Sequence, residues 1–208
     1  MAANLTSVVM RFLTREVIAQ IALFLGLDKT TIQKAAGGAV PALLASLSDL
    51  VANPAGTSQL SKLLSQQQVD SPADLLRNVC AQGLAERSNM LTGLFGGRTM
   101  DAMAQAIGKF THTGDGGGKL LLSVLGPIML GTLGQHQRTA GLDANALASL
   151  LRSQRDQIVA AIPSGLADQL AAAGLIDKIV GAPGRLSTAT ATAALLNRAA
   201  QWLRPSRH

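Results

Sequence analysis

Apolar residues recur along this chain at spacings of three and four, and no window alternates with period two for long enough to make a strand. Val17, Ile18, Ile21, Ala22 and Leu25 fall at helical spacing over Thr14–Leu25, and Gly26 stops that helix. Asp28 is placed to cap a second helix over Lys29–Ala36, which Gly37-Gly38 ends. Pro41 then opens or kinks a third over 41–51, because proline suits a first turn and not a helix interior. Asn53-Pro54 reads as a turn, Ser58 as the cap of a short helix to Ser65, and Ser71-Pro72 as the start of another through Glu86. Gly93–Gly97 reads as a flexible join, Asp101–Phe110 as a helix and Thr113–Gly118 as a loop. The apolar run Leu120–Leu133 splits at Pro127 into a buried pair, Lys119–Leu125 and Pro127–Leu133. Asp143–Gln154, Gln157–Ile162, a helix from Pro163-Ser164 to Gly174 and a short one over Leu175–Val180 follow. Gly181–Gly184 is the best linker, and Ser187 caps a last helix through Leu203. The pattern predicts an all-α, multihelical chain.

An imperfect internal repeat lies within this pattern. AVPALLASL at 39–47 matches LGPIMLGTL at 125–133, pairing Pro41 with Pro127, Leu44 with Leu130 and Leu47 with Leu133. A helix containing Ala-Gln precedes each copy (Ala19-Gln20, Ala104-Gln105), and LSKLL at 60–64 or LASLL at 147–151 follows. Two helix–turn–helix–Pro–helix units are expected, over 1–92 and 98–180, with the second packed on the first. Residues 185–208 form a C-terminal helix and basic tail.

The same residues carry a family resemblance. Gly26-Leu27-Asp28 followed by AAGGAVPALLASL, and the block at 120–158 with its Gly126-Pro127, resemble the YidB-like bacterial proteins, catalogued as domain of unknown function 937. The resemblance spans about 15–158 and implies a compact multihelical fold. It transfers no catalytic residue, since that family has no established activity.

Composition narrows the function classes. Of 208 residues 48% are hydrophobic but only 2% aromatic, with one tryptophan and no tyrosine. Extended base-stacking or sugar-stacking platforms therefore lack their rings. One cysteine, Cys80, excludes an intrachain disulfide framework and reads as a reduced thiol. Leu120–Leu133 is fourteen residues and holds a proline, short of the ~20 that span a bilayer. Arg11, Arg15 and Glu16 interrupt Leu5–Leu27 where an export signal would need an unbroken apolar stretch. A cytoplasmic protein is expected. The net charge is +6, yet five cations and no acid follow Asp177, which leaves residues 1–177 close to neutral. The basic signal belongs to the C-terminal arm, with Arg198, Arg204 and Arg207 as its candidate contacts to an anionic partner.

Three features invite a chemical reading. Ala22, Gly26 and Ile32 fit a helix-turn-helix, in which Lys29, Thr30, Thr31, Gln33 and Lys34 would offer donors to phosphates and base edges; a plain structural hairpin fits as well. Gly114–Lys119 suggests a phosphate loop, but Leu120 stands where the magnesium-binding Ser/Thr belongs. His112, His136 and His208 have no second ligand at i+3 or i+4. No metal, cofactor or catalytic constellation is expected. Helices apolar around most of their circumference must be buried, within the chain or between chains. Their small-residue faces (Gly126, Gly131 and Gly134 among them) permit close approach. The leading expectation is a non-enzymatic, self-associating scaffold or assembly subunit. A DNA-associated protein comes second. A peripheral membrane binder using Asn4–Leu25 comes third.

Overall fold

In a computed structural model, residues 4–66 and 84–175 are described. Among them the chain forms ten helices and no strand, as its periodicity requires. Asn4 opens α1 (Leu5–Phe12) by accepting a hydrogen bond from the Thr6 amide at 3.0 Å, and the helix buries Leu5 and Val9. Thr14 does the same for α2 (Arg15–Leu25) through the Val17 amide, at 3.3 Å. Gly26 ends α2 in the left-handed region (φ 65°, ψ 28°), and α3 (Lys29–Leu50) and α4 (Pro54–Gln66) follow. The second half runs α5 (Leu84–Phe95), α6 (Gly97–Thr111), α7 (Gly114–Thr139) and α8 (Ala144–Ser153). The short α9 (Arg155–Ala160) and α10 (Ser164–Ala172) close the described chain.

Several expected breaks are not breaks. Gly37-Gly38 and Pro41 lie inside α3, a single helix of 22 residues, and Pro127 lies inside the 26-residue α7. A proline in a helix interior costs ~3 kcal/mol. Val40, Leu43, Leu44 and Leu47 are each at most 1% exposed, and burying such side chains stabilises by about 1.5–3 kcal/mol apiece. Tertiary packing therefore outweighs the local penalty, and the expected pairs of short helices become continuous rods. The expected loop Thr113–Gly118 is also helical from Gly114, for a steric reason. A β-carbon on Gly118 would stand 1.9 Å from the Ala104 carbonyl oxygen, so the glycine run is where α7 presses on α6. The Gly93–Gly97 join shrinks to one residue, Gly96 (φ 85°), and α4 begins at Pro54, four residues before Ser58. The helix expected at Gln157–Ile162 occupies Arg155–Ala160. Most of the expected 71–86 helix, Cys80, Leu175–Val180 beyond its first residue, and everything from Gly181 onward lie outside the described residues.

The two proline-bearing rods, α3 and α7, pack on each other and organise the rest. Pro41, Leu44 and Leu47 on one rod and Pro127, Leu130 and Leu133 on the other are all buried, so the repeated segments are the centre of the fold. One apolar cluster extends through both halves and into α10. Gly126, Gly131 and Gly134 are buried in α7 and serve this chain's own core. A β-carbon on Gly126 would meet a Leu91 methyl at 2.5 Å. α7 is long and apolar enough to cross a membrane by length and composition alone, and 78% of its apolar window is buried inside the fold. Two buried polar contacts tie distant segments together. The Gln154 side chain accepts from the Leu5 amide at 2.8 Å, satisfying an orphan donor of α1. The Ser48 hydroxyl donates to the Leu151 carbonyl at 2.6 Å.

Candidate functional site

Local forces build the α2–α3 corner in a readable way. The Gly26 and Leu27 amides both donate to the Ala22 carbonyl, the second at 3.0 Å, which a left-handed glycine makes accessible. The Asp28 carboxylate then caps α3. It accepts from the Thr31 amide at 2.8 Å and from the Thr30 and Thr31 hydroxyls. Those bonds, that of Thr30 first, hold its carboxyl well below the usual carboxylate range.

This geometry decides what the expected nucleic-acid contacts can do. The Thr30 hydroxyl is spent on the Asp28 cap. The Lys34 ammonium sits 4.8 Å from the centroid of the Phe110 ring, engaged in a cation–π contact with α6. Lys29 and Gln33 are exposed on the first two turns of α3, and the helix becomes wholly buried from Gly38 to Ser48. Lys29, Thr30, Gln33 and Lys34 are all exposed, and of these Thr30 and Lys34 already have a partner within the chain. Arg198, Arg204 and Arg207 lie outside the described residues. The structural positions Gly26, Asp28, Pro41, Gly126 and Pro127 all fall at turns or in the packed centre.

Among the described residues no three His, Cys, Asp or Glu side chains stand where they could share a metal ion. A groove of about 340 Å³ between α4 and α5 is lined by Gln59, Lys62, Leu63, Asn89, Met90, Gly93 and Leu94. Its one charged lining residue is Lys62. The ion pair Lys119–Asp101 (2.9 Å) is exposed and joins α7 to α6, the kind of contact worth about 0–1 kcal/mol.

The surface does carry one anomaly. Leu23 is 83% exposed, with Phe24 beside it at 44% and Met10 at 37%. Among the described residues these are the exposed large apolar side chains, and most of the described leucines, isoleucines and valines are buried. Periodicity explains them. Ile21 to Leu25 is an unbroken run of five apolar residues, and a helix can turn only part of its circumference to the core. Val17, Ile18, Ile21 and Ala22 take the buried side. Glu16, Gln20, Leu23 and Phe24 are left on the outward side. The predicted stripe of Val17, Ile18, Ile21, Ala22 and Leu25 omits Leu23 and Phe24, and the structure leaves those two on the outward side.

The corners that end α2 and α6 share one backbone conformation. His112 ends α6 in the same left-handed conformation (φ 61°, ψ 27°) as Gly26 ends α2, 86 residues earlier. The amides of His112 and Thr113 both donate to the Gly108 carbonyl, as those of Gly26 and Leu27 do to Ala22. The family model described as "Bacterial protein of unknown function (DUF937)" matches residues 7–136, which takes in both corners and both proline rods as far as Gln135-His136. The resembling segment 137–158 lies past the matched range. No curated protein and no solved structure matches the chain. With well over half of its length matched, the chain belongs to the DUF937 family of bacterial proteins of unknown function.

Proposed function

We propose that this protein is a non-enzymatic helical interaction protein whose molecular activity is association with a second copy of itself. The observation that carries the reading is Leu23, a leucine 83% exposed at the end of a well-capped helix, with Phe24 adjoining it. A lone exposed leucine is ordinary; one that adjoins an exposed phenylalanine on the same face marks a contact surface. The glycine and leucine faces of α7 are consumed inside the monomer. Among the described residues, association therefore draws on the α2 corner, and the assembly is small.

The test is a concentration series in the analytical ultracentrifuge on the wild-type chain and on Leu23→Glu. The wild type is expected to show a mass that rises with concentration. The variant should stay monomeric with unchanged helicity, because its side chain meets no core residue. A wild-type mass that does not change with concentration would remove the reading.

A further inference from the structure

We draw no further inference here: the strongest candidate, the groove between α4 and α5 lined by Lys62, Leu63, Met90 and Leu94, carries nothing because nothing in the structure shows what covers it.

Discussion

At the residue scale the two corners form a natural pair for measurement, because one conformation is served by two residue types. Gly26 adopts its left-handed backbone at no steric cost, and a β-carbon there would meet nothing within 4 Å. His112 holds nearly the same angles with a side chain, exposed on the surface. A β-carbon in this region costs about 1 kcal/mol. Gly26→Ala should therefore lower the unfolding free energy by about that amount, and His112→Gly should raise it comparably, both read by urea denaturation. Gly118→Ala should cost more than Gly26→Ala, by about 1–3 kcal/mol of overpacking, because a backbone oxygen 1.9 Å away cannot yield. Asp28 provides the pH test. Its carboxyl is held low by the Thr30 and Thr31 bonds, so its stabilising effect is complete above the usual carboxylate range and is lost as pH falls through the lower folded-state value. The stability difference between wild type and Asp28→Ala should accordingly be constant at neutral pH and shrink on acidification.

At the element scale, the sequence announced where helices start better than where they continue. Asp28 is a cap in the sequence and in the structure alike, and Thr14 and Asp143, the first residues of their predicted helices, are caps in the structure, since a cap is a contact between residues two or three apart. Gly37-Gly38, Pro41, Pro127 and Gly114–Gly118 were read as interruptions, and all lie within helices. Their local preferences are overridden by partners tens of residues away, such as Leu91 at Gly126 and Ala104 at Gly118, which no short window contains. On α2 the helical spacing of Val17, Ile18, Ile21, Ala22 and Leu25 already named the inward side, and Leu23 and Phe24 fall off it. α10 gives a prediction at this scale. It lies beyond the family match yet contributes Leu166 and Leu170, both 0% exposed, to the core. Leu166→Ala should cost about 2–5 kcal/mol by chemical denaturation, and an ordinary surface-like loss below 0.5 kcal/mol would show that α10 is not part of the folding unit.

At the scale of the whole molecule, charge and apolar surface divide the labour. Five cations and no acid follow Asp177, while the described body presents Lys34 to a phenylalanine ring and Thr30 to a cap. Any binding to duplex DNA is expected to reside in the C-terminal arm, without sequence preference and with a salt slope of roughly 0.9 per phosphate contact. Truncation after Val180 should abolish a gel shift that Lys29→Ala/Lys34→Ala leaves in place; the reverse result would return the corner to a DNA-reading role.

The body itself is organised by a doubled helical unit around α3 and α7, finished by α10 on one side and presenting Leu23 on the other. Self-association through that side is the central claim. Sedimentation equilibrium of the full chain from about 10 µM to 1 mM tests it most directly, the window set by the affinity of small interfaces. The weight-average mass should climb from the chain mass of 21.4 kDa towards twice that value and level off there. A mass fixed at 21.4 kDa across the range, or one that climbs past the dimer without limit, contradicts it.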